Sequence, residues 1–143
     1  MTIAEKQDRI VRAFELLGDW QERYRYIIKL GQKLDPLPEE HKIEENLVRG
    51  CQSQVWLIAD LEDGNVVFRA DSDAAITKGL VALMVNIYSG EEPETIMSTP
   101  PDFIKKIGMQ EHLSPTRSNG LLAMVKQMKI YAMAFKSQVE SES

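Results

Sequence analysis

The chain has 143 residues, of which 43% are hydrophobic and 27% charged, and its formal net charge is -5 from 17 basic and 22 acidic residues. These values predict one globular domain spanning residues 1–143, and the acidic balance argues against a nucleic-acid-binding surface, which is usually basic. The single cysteine excludes an intrachain disulfide and an all-thiolate metal site, which suits a reducing compartment. The first twenty residues are charged and hold no apolar signal-peptide core, and no apolar run is long enough to span a membrane. We therefore expect a cytoplasmic protein.

The first third of the chain predicts two amphipathic helices followed by a loop. Thr2 and Asp19 each precede a glutamate by three residues, which is the capping-box pattern of a helix start. Apolar residues recur at helical spacing after each of them, and the two helices are predicted to end at Gly18 and Gly31. Residues 34–41 are predicted to be a loop because they hold two prolines.

The middle of the chain predicts a β-hairpin. Residues 55–61 and 66–71 read as strands, and Asp63-Gly64 between them is the strongest short turn signal in the sequence. The even-numbered positions of the second strand are apolar, which indicates one buried face. Residues 47–49 are predicted to add a short third strand.

The second half of the chain is predicted to be mainly helical. Ser72 or Asp73 is expected to cap a helix that ends before Gly90. Two short helical turns, each opened by proline, are expected between there and Gly108.

The C-terminal region is predicted to contain an irregular segment, residues 108–120, and then a final helix from Leu121. The polar tail, residues 137–143, is expected to fray. Helices packed against a small antiparallel sheet of about three strands make the predicted fold class α+β.

The most distinctive stretch surrounds the only cysteine. Cys51 follows Gly50, precedes the polar pair Gln52-Ser53, and stands just before an apolar strand. Glycine favours a turn at this point, and a thiol displayed on a turn can act as a nucleophile. A buried, unreactive cysteine is the alternative interpretation.

A reactive thiolate needs hydrogen-bond donors or positive charge nearby. Arg117 is a fixed cation in a polar segment, and helix starts near Ser72 and Ser114 would offer free N–H groups. We therefore predict that one or more of these groups lie near the Cys51 sulfur. A structural role for Arg117, bonding loop carbonyls, is the alternative.

A cysteine hydrolase with His41 or His112 as its base is a competing interpretation, although the sequence shows no orienting partner for either histidine. The two histidines and the one cysteine show no metal-ligand spacing, so no metal site is predicted. The sequence has no phosphate-binding loop and no nucleotide fingerprint, so no bound cofactor is predicted either.

Four blocks, in order along the chain, resemble the SufE family of cysteine desulfuration proteins, which includes the similar CsdE proteins. The resemblance extends from Trp20 to about Ala132. The blocks are YIIKLG at 26–31, VRGCQSQVWL at 48–57, DSDAAITKGL at 71–80 and HLSPTRSNGL at 112–121.

The resemblance implies the fold of NifU-type and IscU-like scaffold proteins, and it implies a sulfur-acceptor function. In this family the acceptor cysteine takes persulfide sulfur from a SufS- or CsdA-type cysteine desulfurase, stimulates that enzyme, and passes the sulfur to a SufBCD-type iron–sulfur assembly scaffold or another acceptor. The pyridoxal phosphate belongs to the desulfurase. The chain would thus be an accessory protein, a monomer or weak dimer, rather than a stand-alone enzyme.

The resemblance also implies roles for individual residues. Cys51 maps onto the persulfide-forming acceptor, and the loop that carries it is expected to be shielded alone and to extend into the partner. Residues expected to support it are Gly50, Gln52, Ser53 and Arg117. Weaker candidates for partner docking are Asp73 and His112. A non-catalytic module that regulates a desulfurase stays an alternative.

Overall fold

The computed structural model describes residues 1–142. Their helices and strands are, in order, α1 (Ile3–Glu15), α2 (Trp20–Lys33), β1 (Val55–Glu62), β2 (Asn65–Ser72), α3 (Ala75–Tyr88), α4 (Pro93–Ser98), α5 (Asp102–Ile107), α6 (Met109–His112) and α7 (Pro115–Glu142). Two short 3-10 helices, Glu39–His41 and Glu44–Asn46, precede β1.

Helix α3 forms the centre of the fold. It packs against α2 and α7, and the β1–β2 hairpin covers a further side. Its residues 80–84 are all buried, none more than 2% exposed. Apolar side chains cover most of the α3 surface, so neighbouring elements must enclose it, while Asn86 stays exposed on the remaining side.

The contact between α2 and α3 depends on glycine. A Cβ atom added at Gly79 would lie 2.0 Å from the carbonyl oxygen of Ile27, and one added at Gly31 would lie 2.7 Å from the Gly79 nitrogen. The two helix backbones therefore touch directly. The prediction that α2 ends at Gly31 is wrong, since this glycine is an inter-helix contact and α2 continues to Lys33.

The β-hairpin matches its prediction. Strands β1 and β2 pair antiparallel and leave a two-residue loop, Asp63-Gly64. Both loop residues have positive φ angles, 52° and 84°, as a type I′ turn requires. On β2, Val66, Phe68 and Ala70 are the buried face, each at most 2% exposed.

The predicted third strand is absent from the described part of the chain. Leu47 makes only an isolated bridge with Trp56, and the Val48 N–H donates to the Val55 carbonyl at 2.8 Å. The pairing stops there because Gly50, with φ at 94°, turns the chain away. The sheet thus has two strands rather than three, while the α+β fold class is confirmed.

The last helix begins earlier than predicted. Residues 109–112 form α6, and α7 starts at Pro115, not at Leu121. Ser114 supplies the start signal, because its Oγ accepts from the Arg117 N–H at 3.2 Å and proline suits the first helical position. Residues 137–142, expected to fray, form the last turns of α7, and Ser143 lies outside the described residues.

Candidate functional site

The cysteine turn lies against α7. Gly50 has a positive φ, and a Cβ atom added to it would lie 3.2 Å from the Ala123 Cβ. A Cβ atom added to Gly120 would lie 3.4 Å from the Cys51 sulfur. Glycine at 50 permits the turn, and glycine at 120 lets the half-buried sulfur approach the helix backbone.

The contact of the Cys51 sulfur with the helix favours the thiol over the thiolate. Its Sγ donates to the Gly120 carbonyl oxygen at 3.6 Å, and burial raises the pKa of the Cys51 thiol. A carbonyl can accept from S–H but repels a thiolate. In this conformation the sulfur is therefore held protonated and poorly nucleophilic.

A cavity of about 320 Å³ adjoins the sulfur. Its apolar wall is Val55, Leu80, Val81, Leu121 and Met124. Its polar rim is Gln52, Ser53, Thr77, Thr116 and Arg117. The structure thus brings three of the predicted supporting residues, Gln52, Ser53 and Arg117, to one cavity with Cys51, and Gly50 forms the adjacent turn.

Arg117 lies in the first turn of α7 with its side chain exposed. Within residues 1–142, no ion pair or side-chain hydrogen bond engages its guanidinium group. The alternative role, bonding loop carbonyls, has no contact to support it in this part of the chain. The group is therefore available to an anion at the cavity rim.

The loop that carries Cys51 is tied at its C-terminal end by residues that precede α3. Asp73 Oδ1 accepts from the Gln54 N–H at 3.1 Å, and Ser72 Oγ donates to the Gln54 carbonyl at 2.8 Å. The prediction that one of them is the N-cap of the helix is wrong. The N-cap is Ala74, and it makes no side-chain capping bond.

Asp71 is a structural residue at an odd-numbered position of β2, which the strand alternation predicts to face away from the buried side. It is 2% exposed and accepts from the Leu37 N–H at 3.0 Å. Lys78 and Lys42 lie 3.3 and 3.5 Å from its carboxylate. Burial opposes its charge, but the hydrogen bonds from Leu37, Ser72 and Lys78 outweigh burial and lower the pKa of Asp71. These contacts hold the loop of residues 34–41 against the sheet and against α3.

Neither histidine lines the cavity beside Cys51. His112 stacks on Trp20, with ring centroids 4.4 Å apart, and its carbonyl accepts from the Tyr24 hydroxyl at 2.7 Å. His41 lies beside Glu40 at 3.9 Å. The arrangement gives a cysteine hydrolase no histidine base, whereas the exposed edge of His112 is open to a partner.

Two further kinds of feature, a metal-binding cluster and a membrane-spanning helix, are absent from residues 1–142. No three or more histidine, cysteine, aspartate or glutamate side chains among them are grouped so that they could hold a metal ion. No helix in this range combines the length and apolarity that crossing a membrane requires.

The reactivity of Cys51 should rise at a higher pH than that of an ordinary thiol. Burial raises its pKa, so at neutral pH the thiolate fraction is small and alkylation by iodoacetamide is expected to be slower than for free cysteine. The rate should increase as pH rises through the elevated pKa. A profile with its midpoint below that of free cysteine would contradict the shielded geometry.

Comparison with known proteins identifies the family. A family model described as "SufE: Fe-S metabolism associated domain" matches residues 8–132. An uncharacterized SufE-like protein of Synechocystis is 43% identical over 135 residues, which cover 94% of this chain and 85% of that relative. One of Rhizobium meliloti is 43% identical over 127 residues, covering 85% of this chain and 91% of the relative.

A solved structure shares the fold. The solution structure of a hypothetical protein from Thermus thermophilus aligns with a TM-score of 0.75 at 25% identity, covering 90% of this chain and 94% of that one. Its similarity is in fold, and the family model and the relatives add sequence similarity across the cysteine turn. The chain belongs to the SufE family, whose domain is associated with iron–sulfur metabolism.

Proposed function

We propose that this protein accepts sulfur from a SufS- or CsdA-type cysteine desulfurase onto Cys51 and delivers it to a SufBCD-type scaffold or another acceptor. The observation that carries the proposal is the lone cysteine, placed on a glycine turn beside a cavity whose rim bears the unpaired Arg117. The membership of a family associated with iron–sulfur metabolism supports it.

The proposed transfer balances without an outside oxidant or reductant. The Cys51 thiolate attacks the terminal sulfur of the desulfurase persulfide, a new S–S bond forms at Cys51, and the S–S bond on the enzyme breaks. The enzyme cysteine leaves as a thiolate and takes up the proton that Cys51 lost. The transferred sulfur atom keeps its oxidation state.

Cys51 must become a thiolate for this step, so its hydrogen bond to the Gly120 carbonyl oxygen has to break. The turn is anchored at Gln54 by three hydrogen bonds to Ser72 and Asp73, whereas the Cys51 side chain has one hydrogen bond, at 3.6 Å, within residues 1–142. We propose that the residues between Gly50 and Gln54 swing outward into the desulfurase, with Gly50 as a hinge. Shielding before that point would limit oxidation of the thiol.

The remaining features follow from this role. A carrier needs one cysteine and no cofactor of its own, so pyridoxal phosphate stays with the desulfurase and metal ions with the scaffold. We propose that the protein works in the cytoplasm as a monomer or weak dimer. Asp73 and His112, which both follow the cysteine loop in sequence, are candidates for docking contacts.

Replacing Cys51 with alanine tests the proposal against its alternatives. The variant is expected to bind the desulfurase with unchanged affinity but to give no stimulation of L-cysteine turnover, measured as sulfide or alanine released. Full stimulation by the variant would make the protein a non-catalytic regulatory module. Turnover of a small substrate by the wild-type protein alone would favour a hydrolase.

Arg117→Ala should slow sulfur transfer about tenfold to a hundredfold, because one charge-assisted contact to the attacking or leaving sulfur contributes about 1.5–3 kcal/mol. Arg117→Lys should restore part of the rate, whereas a purely structural arginine would not respond to charge in this way. Arg12→Ala, at an exposed position on α1, is the matched control. Single-turnover transfer measured by quenched mass spectrometry gives the rates, and an unchanged Arg117→Ala rate would remove Arg117 from the mechanism.

A further inference from the structure

Helix α7 lines a second concave surface, which we call the α7 groove. It has a volume of about 400 Å³, with Met97 and Pro101 on one wall and α7 on the other. Leu122, Ile130 and Met133 of α7 line it while remaining 45%, 43% and 55% exposed. Three large apolar side chains left open to water on one helix face indicate a surface that is covered in a complex.

The α7 groove is separate from the cavity beside Cys51. Gly120, Leu121 and Met124 face the cysteine, and the groove uses none of these residues. At 3.6 residues per turn, the groove residues Leu122 and Met133 point roughly half a turn away from them. An occupant of the groove would leave the cysteine turn accessible.

The α7 groove carries positive charge that no carboxylate of the described residues neutralises by an ion pair. Lys126 and Lys129 line it, and within residues 1–142 neither has an ion-pair partner. Lys136, further along the same helix, is already paired with Glu94 and Glu140. An apolar occupant would bring Lys126 and Lys129 out of water, so it should carry carboxylates to meet them.

The spacing of the groove residues suits a helix. Leu122, Lys126, Lys129 and Met133 follow one another at intervals of four, three and four residues, which form one continuous face of α7. This face is about 17 Å long, matching about three turns of a docked helix. The opposite wall makes the surface concave, a shape that fits a helix better than a flat lipid layer.

We propose that the α7 groove binds one amphipathic helix of a partner protein, about three turns long, with apolar side chains on one face and carboxylates placed to pair with Lys126 and Lys129. The proposal does not depend on the chemistry of Cys51. Because the two surfaces lie on different sides of α7, the partner helix and a protein engaging the cysteine can be bound together.

The test uses a synthetic, end-blocked 15-residue helical peptide with a leucine stripe at i, i+4, i+7 and i+11 flanked by glutamates. A matched peptide carries lysine in place of every glutamate. The full-length protein is compared with Lys126→Glu/Lys129→Glu and with Lys105→Glu/Lys106→Glu, an equal charge change at exposed positions on α5. Fluorescence anisotropy gives the affinities, and unchanged thermal unfolding verifies that each variant is folded.

The glutamate peptide is expected to bind the wild type and the α5 variant alike, and to bind the groove variant about tenfold or more weakly. The lysine peptide should show the reverse preference, and the rate of Cys51 alkylation should stay unchanged with the glutamate peptide bound. Equal affinities for both peptides, or no binding up to about 1 mM, would overturn the proposal. So would groove-dependent dimerisation of the chain, or groove-dependent binding to anionic phospholipid vesicles.

Discussion

Replacing Gly79 with alanine is expected to destabilise the fold by about 3 kcal/mol, which is at the upper end of the usual cost of adding atoms to a packed core. In an ordinary helix the same change stabilises by about 0.5–1 kcal/mol, because glycine loses more conformational freedom on folding. Here the new Cβ would meet the Ile27 carbonyl oxygen at 2.0 Å. The oxygen belongs to the α2 backbone and the α3 backbone fixes the position of the Cβ, so the clash is relieved only when α2 and α3 move apart.

The free energy of unfolding from urea titration measures this effect. Gly18→Ala is the control, since a Cβ atom there meets nothing closer than 3.6 Å, and that neighbour is the end of a glutamate side chain. The control should unfold within about 0.5 kcal/mol of the wild type. A Gly79→Ala protein as stable as the wild type would show that the two helices are not in backbone contact.

Replacing Asp71 with asparagine is expected to cost about 2 kcal/mol at neutral pH. The change keeps the shape of the side chain but removes the charge that Lys42 and Lys78 approach, and it leaves one of the two backbone N–H donors facing an amide nitrogen. The lysines can turn to water, which keeps the loss below that of a fully buried ion pair.

The cost should depend on pH in a defined direction. Because the pKa of Asp71 is lowered in the folded protein, its carboxylate stabilises the fold at all pH values above the unfolded pKa of about 3.9. That contribution disappears as pH falls through the folded pKa. Urea unfolding between pH 7 and pH 3 should therefore show the wild type and Asp71→Asn converging at the acid end. A difference that stays constant over this range would contradict the assigned role.

Local sequence signals are sufficient to predict the hairpin and several helix ends. The Asp63-Gly64 turn, the Thr2 capping box and the left-handed stop at Gly108 are each determined by a few neighbouring residues, and the structure has all three. The start of α7 is also encoded locally, by the Ser114-Pro115 pair.

Contacts between distant segments could not be predicted in the same way. The sequence pattern predicts a helix stop at Gly31, yet this glycine contacts Gly79. It predicts the end of a loop at Gly120, yet this glycine lets the Cys51 sulfur approach the α7 backbone. Residues 51 and 120 are 69 positions apart in sequence. Periodicity and capping rules describe one element at a time, so they do not show which glycine faces another backbone.

The site was predicted in part. The turn at Gly50 and the placement of Gln52, Ser53 and Arg117 at one cavity with Cys51 are present in the structure. The environment of the sulfur differs from expectation, because a carbonyl acceptor contacts it in this conformation. Under the proposed function this contact protects the thiol between partners, and we expect the activated form only in a complex with the desulfurase.

Intact-mass spectrometry tests the central proposal most directly. The protein and a Cys51→Ser variant are each incubated with an active SufS-type cysteine desulfurase and L-cysteine. The proposal predicts that only the wild type gains one or more sulfur atoms and that a thiol reductant removes them. No gain in the presence of demonstrably active desulfurase, or an equal gain on Cys51→Ser, would contradict the assignment of Cys51 as the sulfur acceptor.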